Sequence, residues 1–187
     1  MEIKTTKLKY RGIMNIASGA IDITDPCYDD DTWCRMNNVK IKPGKYNCFT
    51  SALAGDAAKE HGEVIMTMVF AHEDVDPRKI KRLEYDLLGE VGVDAGLMSI
   101  SESGVKPNYT DPEWFEVTDK FFRFKDELEE AMVSSELSIN PPAGKESKQF
   151  WATSGFGDGE YRVLGAHTYD PDNSDAAPDV ILIDFMM

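Results

Sequence analysis

The 187-residue chain has no uninterrupted apolar run approaching the roughly 18–20 residues of a membrane-spanning helix. Its N-terminus, MEIKTTKLKY, lacks the apolar core of a secretory signal. A soluble, cytoplasmic protein is the expectation. Cysteine is scarce and odd in number. Cys27, Cys34 and Cys48 are expected as thiols rather than a disulfide framework, and the six residues between Cys27 and Cys34 are not a zinc-knuckle spacing. Histidine is limited to His61, His72 and His167. Basic residues are few as well: 20 Lys and Arg stand against 34 Asp and Glu, a net charge of −14. Residues 1–60 are nearly neutral, and almost all of the excess lies beyond them. Such a surface repels phosphate backbones and disfavours a nucleic-acid binder. It leaves three readings: simple solubility, docking on a basic partner, or imitation of nucleic acid.

What is present suits a globular core. Apolar residues make up 42% of the chain, enough to exclude disorder by composition. The length fits a single domain over residues 1–187. Segments 2–10 (EIKTTKLKY) and 19–26 (GAIDITDP) alternate polar and apolar residues, the period-two signature of a half-buried strand. Pro43-Gly44 between Val39/Ile41 and Tyr46/Cys48 predicts a hairpin across 38–53. Residues 62–74 (GEVIMTMVFAHED) read as a central strand, 90–101 (EVGVDAGLMSIS) as one strand interrupted by glycines, and 179–187 (DVILIDFMM) as a buried final strand. Phe121, Phe124, Leu128 and Met132 recur at helical spacing and predict a helix over 118–134, capped by Thr118 or Asp119. A short helix can start near Thr110, with Pro112 and Glu113 in its first turn. Residues 140–148 read as a loop. The sum is a mainly β (α+β) fold, an antiparallel β-sandwich or partly open barrel, with one or two helices between residues 110 and 137.

Residues 154–161, SGFGDGEY, pack three glycines and an aspartate between two strand-like stretches. No lysine follows to make a Walker loop, and no helix follows to make a dinucleotide loop. Asp158-Gly159 between strands instead predicts a hairpin turn. Asp94 sits in GVDAG, where burial of an unpaired charge would cost several kcal/mol. It must be hydrogen-bonded, paired, or facing a cleft. Residues 22–34, DITDPCYDDDTWC, are the most chemically loaded stretch. Asp29, Asp30 and Asp31 lack the alternate-position order of a calcium loop, as do Asp170, Asp172 and Asp175 in 169–175. Cys27 as a nucleophile would need a neighbouring base.

In order, DPCYD, WC, PGKY, VDAG, GFGDGEY and the closing DVILIDF resemble a family of uncharacterised proteins of bacteria and their phages that carries a domain-of-unknown-function label. Leu97 follows VDAG where relatives often have glutamine, and 110–148 is longer than usual. The resemblance implies a shared set of positions: Asp25, Cys27, Tyr28, Trp33, Lys45, Asp94, Gly96, Asp158 and Tyr161. Several fall at strand ends, where loops of a β scaffold gather into one face.

The leading expectation is a non-catalytic binding protein of the bacterium–phage setting, with an inhibitor, decoy or immunity-type role. It would bind a protein partner or small charged ligand as a monomer or homodimer, with no nucleic acid, membrane or cofactor involved, through acidic clusters such as Glu127/Glu129/Glu130. The competing reading is a metal-dependent hydrolase or phosphoesterase in which Asp25, Asp94 and Asp158 hold a divalent cation. An acidic DNA mimic is the third.

Overall fold

The structure, a computed structural model, describes residues 3–28, 31–104, 116, 119–120, 122–123, 130–134, 148–168 and 176–186. Its strands are β1 (Lys9–Ile16), β2 (Ala20–Thr24), β3 (Met36–Lys40), β4 (Gly44–Ala52), β5 (Ile65–His72), β6 (Asp86–Val93), β7 (Leu97–Glu102), β8 (Ala131–Ser134), β9 (Gln149–Thr153), β10 (Gly159–Ala166) and β11 (Val180–Asp184). A short helix α1 (Asp56–His61) separates β4 from β5, and a 3-10 turn occupies Ile80–Arg82. The strands form two antiparallel sheets, ordered β1-β4-β5-β11-β10-β6 and β3-β2-β7-β9-β8. They face each other across one core in which Ile21, Ile23, Ile100 and Phe150 of the smaller sheet meet Tyr46, Phe70, Val163 and Ile183 of the larger. This is a sandwich rather than a closed barrel.

Both pairs of lateral edges abut. A Cβ on Gly12 of β1 would lie 2.8 Å from the Val133 Cβ of β8, and one on Gly89 of β6 would lie 2.9 Å from the Met36 methyl of β3. One backbone bond crosses the second seam, from the Gly92 N–H to the Cys34 carbonyl at 2.8 Å. Side chains close these seams where a barrel would use a continuous ladder.

The central strand expected at 62–74 is β5, buried along its whole length. Its inward residues join the main core. Val69 and Ala71 face outward into a second cluster with Phe49, Val75, Ile80 and Val180. A strand covered on both faces loses its polar alternation, which is why the sequence reads as a continuous apolar run. β2 and β11 also lie where the alternation and the closing apolar run place them.

Four expectations about strands and turns are corrected. The first strand runs from Lys9 to Ile16, sharing only Lys9 and Tyr10 with the expected 2–10; among the described residues before it, Thr5 makes an isolated bridge to Leu53. Residues 38–53 are not a hairpin: β3 pairs with β2 in one sheet, and β4 with β1 and β5 in the other. Residues 90–101 are two strands, β6 and β7, one in each sheet. SGFGDGEY is likewise no hairpin, because β9 pairs with β7 and β8 while β10 pairs with β6 and β11. In all three turns glycine marks a change of direction. Whether the chain folds back in plane or crosses to the facing sheet depends on partners distant in sequence.

Within the expected helix, Asp119, Lys120, Phe122 and Arg123 are helical, as is Glu116, with Lys120–Glu116 and Arg123–Asp119 pairs at 3.1 and 2.8 Å. Met132 is a correction: it belongs to β8, paired with Trp151 of β9. The register across this sheet overrides the local helical spacing. Thr110, Pro112, Glu113, Thr118, Phe121, Phe124, Leu128 and most of 140–148 lie outside the described residues.

Candidate functional site

The strand registers give the sandwich two distinct ends. At one end the chain crosses between sheets through 94–96, joining β6 to β7, and through 154–158, joining β9 to β10. The 25–35 connection from β2 to β3 lies at the same end. We call it the corner end.

Asp25 organises this end. It is fully buried, and its carboxylate is bonded to backbone. Oδ2 accepts the N–H groups of Asp94 at 2.9 Å and Ala95 at 2.7 Å, and Oδ1 accepts that of Cys27 at 2.8 Å. Its own carbonyl takes the Tyr28 N–H at 3.1 Å. Burial raises the Asp25 carboxyl above its ordinary value, although the amides of Ala95, Cys27 and Asp94 and the Cys27 thiol all pull it down. Gly96 follows with φ +65°, the left-handed conformation that the turn into β7 needs. The Gly96 carbonyl accepts the Ser154 N–H at 3.1 Å, which couples the first corner to the second.

The second corner is held from below by Tyr161. That side chain is buried, and its hydroxyl lies 3.0 Å from the Ser154 carbonyl and 2.7 Å from the Gly157 carbonyl. Ser154 Oγ also donates to the Gly157 carbonyl at 2.8 Å. Burial raises the Tyr161 phenol, and the nearby Asp158 charge adds to the shift. Together with the Gly92–Cys34 bond, these contacts tie three loops into one unit.

On this frame lies an open cleft of about 540 Å³, lined by Tyr28, Trp33, Cys34, Asp94, Asp158 and Glu160 among others. Trp33 stands at its rim with 87% of its surface exposed. Asp94, Asp158 and Glu160 are exposed, and Tyr28 and Cys34 are half-buried. The Tyr28 phenol is pushed well above its ordinary value by burial, by its hydrogen bond with the Cys34 side chain, and by the charges of Cys34, Asp94 and Asp25. Among the described residues, no Lys, Arg or His lines this cleft. Phe156, 66% exposed, projects from the tip of the second corner and meets His61 of α1 edge-on at 5.6 Å.

The structure brings together Asp25, Cys27, Tyr28, Trp33, Asp94, Gly96 and Asp158, with Tyr161 beneath them as a support. Lys45 does not join them. It is exposed at the start of β4, opposite Asn15 of β1, at the far end of the sandwich. The three aspartates do not form a cation site either. Asp25 points both oxygens at backbone amides, and among the described residues no three of His, Cys, Asp and Glu are placed to hold a metal ion. Nor does a histidine accompany Cys27. His61 lies against Phe156, and His72 and His167 end β5 and follow β10 at the far end. Asp29, Asp30 and the 169–175 stretch lie outside the described residues, as do Glu127 and Glu129. Glu130 is used internally, accepting the Thr153 hydroxyl at 2.8 Å.

Sequence reasoning missed Cys34 and Glu160 as cleft residues. Glu160 follows Asp158 at i+2, the spacing that puts two side chains on one side of an extended chain, and that signal was available. Cys34 stood in the WC motif, but its place in the cleft depends on the seam with β6. Comparison with family models, with curated proteins and with solved structures returns no match.

Proposed function

We propose that the protein is a non-catalytic binding module that docks a basic partner protein at the corner end, taking a cationic side chain into the cleft beside Trp33. One observation carries this reading: an almost fully exposed indole shares a cleft with three exposed carboxylates and, among the described residues, no lining cation. An aromatic face attracts an ammonium or guanidinium by about 0.5–2 kcal/mol, and the carboxylates add Coulombic attraction. An exposed tryptophan is also a residue type enriched among the hot spots of protein interfaces. The acidic surface steers a basic partner toward the site and speeds encounter. An acidic surface on a compact β fold suits an inhibitor, decoy or immunity-type role, in the bacterium–phage setting that the resemblance implies.

Calorimetric titration with a hexa-arginine peptide tests the reading. Binding is expected, with Trp33→Ala weakening it about 3- to 30-fold. Asp94→Asn/Asp158→Asn should weaken it further. Equal affinity for wild type and Trp33→Ala would show that the peptide senses only net charge, and the cleft would lose its role.

A further inference from the structure

The outward face of the larger sheet carries a second surface. Cross-strand pairing lines up Tyr10, Phe49, Val69, Leu182, Leu164 and Leu87, one residue from each of the six strands. This is an unbroken apolar row across the whole sheet. Its middle is covered, because Phe49 and Val69 sit in the outer cluster with Val75 and Ile80. Toward β6 the cover thins among the described residues: Leu182 still packs against that cluster and Leu164 is half-buried, while Leu87 is 61% exposed. The neighbouring row reads Thr67, Asp184, Arg162 and Glu90. Arg162 donates to Asp184 at 2.6 Å while keeping half of its side chain in solvent.

We propose that this face is an interface between two copies of the chain. The charge pattern selects a second copy over a foreign partner. Arg162 is flanked across the ladder by Asp184 and Glu90, so the face carries both signs side by side in an otherwise acidic protein. A two-fold axis parallel to the strands, passing between β10 and β6, sets Leu164 of each copy against Leu87 of the other. The same axis turns Arg162 of each copy toward Glu90 of the other, the self-complementary arrangement that isologous dimers require. Pairing through the β6 edge instead is obstructed, because Met36 covers Gly89 and the Gly92 N–H is already bonded to Cys34. Two chains of net charge −14 repel each other, so an association held by apolar contact strengthens as salt screens that repulsion.

Sedimentation velocity on the full chain, over a concentration series at low and high salt, tests the proposal. The wild type is expected to dimerise, more tightly at high salt. Leu87→Asp should raise the dissociation constant at least about tenfold with an unchanged circular dichroism spectrum, and Leu87→Ser should do so more mildly. Glu90→Arg and Arg162→Glu should each weaken the dimer, and the double exchange should restore it. A monomer at every concentration and salt overturns the proposal. So does a dimer indifferent to both Leu87 substitutions, which would place the interface elsewhere.

Discussion

Asp25 and Asp94 are 69 residues apart in sequence, yet the carboxylate of the first receives the backbone N–H of the second at 2.9 Å. The bond fixes the point where the chain leaves the larger sheet for the smaller one. An aspartate suits this task because its two oxygens reach amides from two loops at once, Cys27 on one side and Asp94 and Ala95 on the other. It is a structural carboxylate, and the exposed Asp94 side chain is thereby left to face the cleft.

Removing that carboxylate should unfold the corner rather than merely empty a site. Asp25→Ala leaves three amides without their acceptor, and a loss of about 3 kcal/mol or more is expected. Urea denaturation measures it, and an Asp25→Ala protein of unchanged stability would refute the structural role.

The pH dependence has a definite sign. Burial raises the folded-state carboxyl of Asp25 above 3.8. The native state therefore holds this proton at pH values where the unfolded chain has released it. The contribution to stability is fully present below pH 3.8 and declines as pH rises through the raised value. Asp25→Asn cannot titrate. The stability difference in favour of wild type should therefore be largest near pH 4 and narrow toward pH 7 in parallel urea titrations; a difference that widened toward neutrality would mean the amides outweigh burial.

Tyr161→Phe removes the hydroxyl shared by the Ser154 and Gly157 carbonyls. A loss of about 1–2 kcal/mol is expected, with faster hydrogen exchange at the Gly157 amide, which is bonded within the same corner. Affinity for the arginine peptide should fall too, because Asp158 rides on this loop. Unaltered exchange at Gly157 would show that Ser154 holds the turn alone.

At the far end, Gly44 has φ +146°, and a Cβ there would lie 2.3 Å from His72 Nε2. Gly44→Ala should destabilise by at least about 2 kcal/mol. His72→Ala in the same chain should recover part of that loss, since it removes the clash and leaves only the backbone strain. Strict additivity in a double-mutant cycle would contradict this contact.

None of the three cysteines is in a disulfide, and they sit in different settings. Cys48 is fully buried, and burial pushes its thiol well above the ordinary value. Cys27 and Cys34 are half-buried at the corner end. Ellman's reagent should label two thiols in the native protein and a third only after unfolding.

The sequence made the class of fold legible, along with those strands whose pattern comes from burial alone. β2 alternates, while β5 and β11 run apolar, because their neighbours cover them in simple ways. The ordered motifs DPCY, VDAG and GDGEY were also legible as one face. The glycine turns could not be resolved into hairpins or crossings, since Asp25, Gly96 and Ser154 act on one another over distances in sequence that no local pattern records. Lys45 was misplaced for the same reason: a lysine at a strand end carries no mark of which end. Helix α1 was invisible because its six residues bury nothing and so show no apolar stripe.

Recognition of a cationic side chain at the corner end rests on the cleft beside Trp33. Nitrogen–proton correlation spectra recorded during titration with the hexa-arginine peptide test it most directly. Saturable shifts are expected at the Trp33 indole and at the amides of Cys34, Asp94, Asp158, Gly159 and Glu160, with the amide shifts lost in Trp33→Ala. Weak shifts scattered over the acidic surface, with the Trp33 indole unmoved, would contradict it.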